Sequence, residues 1–195
     1  MTHIRRSSSV LFVLAILLLV TARDAAAEGF ITPFIGYNFG GDSGCVTITN
    51  CSDRRLDWGA ALGAFGSIIG FETEFGYTKN FFGETVGQTS DVLTVMGNVL
   101  IGPKIGPVQP YGLIGAGLMR TAVSQTSVSS SDENQFGWDI GGGLFAYFSS
   151  HVGIRGDVRY FRSFQVLDFS QFPNLGFQQT HLDFGRASIA VAFKF

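Results

Sequence analysis

The sequence predicts an all-β fold: an eight-stranded, antiparallel, up-and-down transmembrane β-barrel. Three observations predict it. Segments of about ten residues alternate apolar with small or polar side chains, which in a strand sends the two classes to opposite faces. The links between them alternate long and short. The chain is apolar and aromatic, with 26 Gly and 20 Phe in 195 residues, yet beyond its first segment nothing approaches the roughly 20 apolar residues of a membrane helix. In lipid each backbone polar group must be paired within the protein, so a chain of strands can cross only by closing on itself.

The amino terminus is read as an export signal. Arg5 and Arg6 precede the unbroken apolar run Val10 to Val20, and Ala25-Ala26-Ala27 supplies small residues before Glu28. At eleven residues the run is too short to span a bilayer, which weighs against the alternative of an uncleaved anchor. Residues 1–27 are therefore expected to be a signal peptide and 28–195 a single β-barrel domain of 168 residues. Without Arg5, Arg6, Arg23 and Asp24 the mature chain carries 10 basic and 14 acidic residues, a net charge of −4 that offers nucleic acid nothing.

Eight segments follow. On the face expected to meet lipid the first carries Ile31, Ile35, Tyr37 and Phe39, and the second Leu56, Trp58, Ala60, Leu62 and Ala64. The third carries Phe71, Phe75 and Tyr77, and the fourth Leu93, Val95, Val99 and Ile101. The fifth shows Ile114, Ala116 and Leu118, but Tyr111 and Leu113 sit on the opposite parity, so either of its faces can be read as outward. The sixth carries Trp138, Ile140, Leu144 and Phe148, and the seventh Val152, Ile154, Val158 and Tyr160. The last runs from Gly185 to the terminal Phe195, with Ala187, Ile189, Val191, Phe193 and Phe195 on one face. Each is about the 9 to 11 residues that a tilted membrane strand needs.

The links expected to be long are Gly40 to Arg55, Lys79 to Asp91, Ala122 to Gln135 and Arg162 to Thr180; the short ones are Ser67 to Ile69, Pro103 to Gln109 and Ser149 to His151. Such alternation puts tight turns at one end of a barrel and long loops at the other, and an even strand number puts both termini at the turn end. The polar run Ser124 to Gln135 is expected to be solvated loop. Cys45 and Cys51, the only cysteines, lie in the first long link. In an exported chain their simplest reading is a disulfide; a zinc or redox site is the alternative, and two thiols without a nearby His fall short of a tetrahedral ligand set.

GFITPFIGYNFG (29–40), GFETEFGYTKNFF (70–82), TVMGNVLIGP (94–103), PYGLIGAGL (110–118), FGWDIGGGLFAYF (136–148), HVGIRGDVRYF (151–161) and the closing FKF together resemble the small OmpA-like and OmpX-like outer-membrane proteins of the β-barrel domain family. The resemblance spans the whole mature chain and speaks to fold and location more than to chemistry. It implies the outer membrane of a Gram-negative bacterium, long loops on the exterior, and a monomer in contact with outer-membrane lipid and lipopolysaccharide. It also implies that the terminal aromatics, Phe193 and Phe195, form part of the signal read by the outer-membrane assembly machinery. No peptidoglycan-binding domain follows the barrel, so the wall-anchoring role of two-domain members is not implied.

If the apolar parity faces lipid, the other parity lines the lumen, and charges collect there. Glu72 and Glu74 lie on the third segment, Asp139 on the sixth, Arg155, Asp157 and Arg159 on the seventh, and Arg186 and Lys194 on the eighth. Four acids meet four bases, and charges in a narrow interior are tolerable only when paired. An eight-stranded barrel is just wide enough for its own side chains to fill. The set therefore reads as a structural plug; the sharper alternative is a gate or narrow ion path in which the partners exchange.

A catalytic pairing of Glu72 with Glu74 is disfavoured, because neighbouring arginines would hold both ionised. Some barrels of this size hydrolyse or transfer the acyl chains of lipid A, and those resembling deacylases carry a His and a Ser on one strand. The mature chain has only His151 and His181, and His181 is followed by Leu182 and Asp183 with no Ser at the matching spacing. Gly141-Gly142-Gly143 and Gly115-Ala116-Gly117 are not phosphate cradles, which need a strand-to-helix junction. Trp58, Trp138, Tyr77, Tyr160, Phe81 and Phe82 fall near strand ends, where interfacial aromatic girdles form. A soluble lipocalin-like barrel would instead turn the apolar face inward. The expectation is a non-enzymatic envelope protein with a structural or surface-interaction role and no cofactor or metal, with a narrow ion or small-solute channel as the alternative.

Overall fold

The computed structural model describes residues 27–41, 43, 55–82, 88–125, 130–167 and 180–195. The expected signal peptide and the Cys45–Cys51 pair lie outside them. Eight strands follow in order: β1 Glu28–Phe39, β2 Arg55–Phe65, β3 Ile69–Thr78, β4 Gln88–Ile101, β5 Val108–Gln125, β6 Ser130–Tyr147, β7 Val152–Leu167 and β8 Thr180–Lys194. Each pairs antiparallel with its sequence neighbours, and β1 pairs with β8 to close the barrel. The closure leaves no sheet edge around the ring, which is what lets strands stand in lipid.

Pleating sorts the side chains as the two-residue period requires. Ile31, Ile35, Leu62, Phe71, Ile101, Ile140, Val158 and Ile189 all point outward and are exposed. On β5 the ambiguity resolves: Ile114 faces out, while Tyr111 and Leu113 are buried in the interior. The eighth strand keeps Ile189, Val191, Phe193 and Phe195 outside and Arg186 inside. A soluble barrel would bury the first set, so the lipocalin-like reading fails on facing alone.

The turn end is tight. Gly66–Ile68, Gly102–Pro107 and Phe148–His151 connect the strands there. In the β4–β5 turn Ile105 and Val108 exchange backbone hydrogen bonds of 2.8 and 3.2 Å around Gly106-Pro107. Gly106 takes φ +61° with open space about it, so the backbone conformation and not crowding demands glycine; Pro107 follows with its fixed φ, the pattern of a type II′ hairpin turn.

The loop end departs from expectation. The link between β5 and β6 spans residues 126–129 and not Ala122 to Gln135, because the two strands stay paired out to Ser124↔Ser130. Likewise β4 begins at Gln88 and β7 runs to Leu167. The amphipathic period marks only the part of a strand that has lipid on one side. Beyond it no lipid imposes the alternation, and Ser- and Thr-rich sequence pairs without an apolar stripe. As a result β5 and β6 are each 18 residues long against 10 for β3, and the wall projects on that side.

Candidate functional site

The lumen holds the chemistry. Inward parity on β3, β6, β7 and β8 brings Glu72, Glu74, Asp139, Arg155, Asp157, Arg159 and Arg186 together, none more than 7% exposed. They form a ladder along the barrel axis. Nearest the turn end, Arg155 contacts Glu72 at 2.7 Å and Asp157 at 3.0 Å. In the middle, Arg159 reaches Glu74 at 2.7 Å, Glu72 at 2.9 Å, Asp157 at 3.1 Å and Asp139 at 3.6 Å. Toward the loop end, Arg186 bridges Glu74 at 2.9 Å and Asp57 at 2.7 Å. Neutral groups fill in between: Tyr111 accepts from Arg155 Nε at 2.6 Å and donates to Asp157 at 2.9 Å, and Ser188 also donates to Asp157 at 2.9 Å.

Two members differ from the sequence reading. Asp57, fully buried on β2, belongs to the ladder; its place on the parity opposite Leu56 and Trp58 was the available signal. Lys194 does not belong. It sits at the turn end, where it pairs with Glu28 at 3.1 Å beside Lys104 and stands 4.8 Å from the ring centre of Tyr147. Among the described residues the buried layer therefore holds five carboxylates and three guanidiniums, where four acids and four bases were expected.

Aromatic layers close the ladder above and below, and the sequence reading had missed them. Phe30, Phe65, Leu100, Tyr111, Leu113, Phe145 and Ala192 pack together at the turn end. Phe81, Val92, Met96, Met119, Phe161, Leu182 and Phe184 do so at the loop end. The rule of apolar outward, polar inward had hidden them, because it holds only while the lumen is polar at every level. The arginines fasten these layers to the charges: the Arg155 guanidinium lies 4.9 Å from the Phe145 ring centre and 5.1 Å from Tyr111, and that of Arg186 lies 4.5 Å from Phe161. Phe81, expected in the outer girdle, is instead fully buried, edge-on to Phe184 at 4.9 Å. Phe82, expected there too, packs against the same inner cluster, edge-on to Phe81 at 5.1 Å. The remaining four girdle residues pair as expected, Trp58 with Tyr77 at 5.6 Å and Trp138 with Tyr160 at 5.9 Å.

The remaining candidates stand apart from this layer. His151 lies in the β6–β7 turn, its ring nitrogen 2.7 Å from the Ser150 hydroxyl, both exposed. His181 lies at the loop end, with Nδ1 3.1 Å from the Ser163 carbonyl oxygen; the Ser163 hydroxyl accepts from the Leu182 amide at 2.9 Å. Phe193 and Phe195 both face outward. The backbone of Phe195 closes the barrel through two hydrogen bonds with Gly29, of 3.0 and 2.9 Å. Its ring lies over Gly29, where any Cβ would fall 2.6 Å from it.

Known proteins share this architecture. Neisserial surface protein A superposes with a TM-score of 0.62 at 15% identity, covering 86% of this chain and 97% of its own. The attachment invasion locus protein Ail of Yersinia pestis, solved with the heparin analogue sucrose octasulfate, gives 0.56 at 17% identity, over 87% and 99%. The N-terminal barrel domain of Pseudomonas aeruginosa OprF gives 0.53 at 14%, over 87% and 99%. At these identities the likeness is one of fold. No curated protein matches by sequence. The outer membrane protein beta-barrel domain family, however, matches residues 12–195, nearly the whole chain. With its closed eight-stranded wall, lipid-facing apolar surface and charged interior, this protein belongs to the outer membrane protein β-barrel domain family.

Proposed function

We propose that this protein is a closed, non-conducting barrel that serves the outer membrane as a structural and surface-interaction element, displaying its loop end to the exterior. The observation that carries this reading is the filled lumen. Arg155, Arg159, Arg186 and their five carboxylates are each at least 93% buried, and an apolar layer covers them at either end. A conducting path needs hydrated groups along its length, and this interior instead spends its donors and acceptors on itself. The tall β5–β6 wall supports the second half of the reading, since strands of 18 residues exceed what the membrane requires and carry polar sequence outward.

In this reading residues 1–27 direct export in a Gram-negative cell, Phe193 and Phe195 present the chain to the assembly machinery, and the monomer contacts lipid and lipopolysaccharide. Cys45 and Cys51 close a ring in the first exterior loop. The protein is not an enzyme: Glu72 and Glu74 are held by arginines on the opposite wall, which leaves neither a free acid nor a free base. Planar-bilayer recording of refolded protein tests the reading directly. Silence or rare brief events are expected; large, stable openings would replace it with the narrow-channel alternative. Mass spectrometry of lipid A from expressing cells should show no lost or added acyl chain.

A further inference from the structure

The ladder is uneven, and its imbalance has an address. Among the described residues, Asp57, Glu72, Glu74, Asp139 and Asp157 face only Arg155, Arg159 and Arg186 within the buried layer, an excess of two carboxylates. The arginines are not shared evenly. Glu72 and Asp157 each meet two of them, Glu74 meets Arg159 and Arg186 within 3 Å, and Asp57 meets Arg186 at 2.7 Å and Thr78 at 2.8 Å. Asp139 has Arg159 Nη1 at 3.6 Å and no hydrogen bond to either oxygen, although it is fully buried.

Asn98 on β4 faces Asp139 from the other side of Gly115, with which both residues are paired in register. Its Nδ2 donates to Glu72 Oε1 at 3.0 Å, and its Oδ1 has no donor. A Cβ added to Gly115 would run into both Asn98 Oδ1 and Asp139 Oδ1, so two acceptors converge over this glycine with no hydrogen between them. Turning the amide over would only move the conflict, because its oxygen would then oppose Glu72. One amide between two carboxylates can donate to one of them. Arg159 Nη1, itself without a hydrogen bond, faces the other oxygen of Asp139, Oδ2, at 3.6 Å. The gap between Asn98 Oδ1 and Asp139 Oδ1 is a single hydrogen short, and the oxygen that can supply it belongs to the acid with the weakest cationic partner.

We propose that Asp139 holds a proton in the folded barrel and donates it to Asn98 Oδ1, making this carboxyl–amide pair a buried proton-binding site. A protonated carboxyl is both donor and acceptor, so the pair is satisfied and one of the two excess charges disappears. The charged groups around it are Arg159 on β7, Glu72 and Glu74 on β3 and Arg186 on β8. Arg159 then serves Glu72, Glu74 and Asp157, its three close partners. The inference is independent of whether the lumen conducts.

Infrared spectroscopy of the wild type and of Asp139→Asn, both refolded in lipid vesicles at neutral pH, tests it. The wild type should show the carbonyl stretch of a protonated carboxyl, shifting in deuterated buffer, and Asp139→Asn should lose it. The asparagine copies the shape and donor of the neutral acid, so the variant should refold and melt at or above the wild-type temperature, whereas Glu72→Gln should melt lower. Absence of the band in the wild type, its persistence in Asp139→Asn, or failure of Asp139→Asn to refold would each overturn the proposal. Conducting wild-type protein would sink the closed-lumen reading and leave this result standing.

Discussion

Arg159 Nη2 and Glu72 Oε1 meet at 2.9 Å across the full width of the barrel, one on β7 and the other on β3, four strands apart in a ring of eight. Arg155 repeats the span to Glu72 at 2.7 Å. Such ties brace opposite walls in a way that strand pairing alone does not. Removing Arg159 would leave Glu72, Glu74 and Asp157 buried with too few cations, a change that typically costs about 3–5 kcal/mol. Urea titration of Arg159→Ala refolded in bilayers should show a loss of that order, while conductance stays near zero.

The loop-end plug is separable from the charges. Phe184 stacks on Phe161 with centroids 4.9 Å apart and planes at 11°, and meets Phe81 edge-on. Phe184→Ala should cost roughly 3–5 kcal/mol as a truncated core aromatic. It should also admit water to Arg186, so measurable small openings in a bilayer would appear in this variant before they appear in Arg159→Ala.

Gly76 is where the wall yields to the network. A Cβ there would lie 2.7 Å from Arg186 Nη1 and 2.8 Å from Thr94 Oγ1. Gly76→Ala should displace the guanidinium from Glu74 and destabilise by about 1–3 kcal/mol, as overpacking does. Gly112→Ala, whose nearest neighbour would be a carbonyl oxygen at 3.9 Å, is the matched control and should fold with near wild-type stability.

Phe195 separates recognition from stability. Its side chain is 80% exposed, so Phe195→Ala in refolded protein should change unfolding by no more than about 0.5 kcal/mol. In cells the same substitution should sharply lower the amount of folded, heat-modifiable protein in the outer-membrane fraction. Equal losses in both settings would assign the residue to barrel closure alone.

The cysteines give a simple chemical check. Thiol titration of unreduced, denatured mature protein should find no free thiols; two would refute a Cys45–Cys51 disulfide.

How much of this was legible depends on what each residue answers to. Ile189, Val191 and Phe193 alternate with Ala190, Ala192 and Lys194 because lipid lies on one side of β8, and that contrast is written along the chain. The facing of β5 was not, since Tyr111 and Ile114 are both apolar and only closure decides which meets lipid. Asp57 was readable from its parity beside Leu56 and Trp58. That Arg186 on β8 would be its partner was not, because the reach across the lumen depends on register and tilt. Serine-rich Ser130–Gln135 looks like loop because strand beyond the membrane has no lipid to pattern it.

The sequence by itself determined the strand number, the lipid-facing parity and the inward charges, because each follows from local alternation against a two-sided environment. Only the tertiary structure decided that the ladder is capped by Phe145 below and Phe184 above, that Lys194 leaves it for Glu28, and that Asp139 and Asn98 converge over Gly115. Those are distances between residues far apart in the chain. They are set by closure, stagger and the finite width of eight strands, none of which a two-residue period contains.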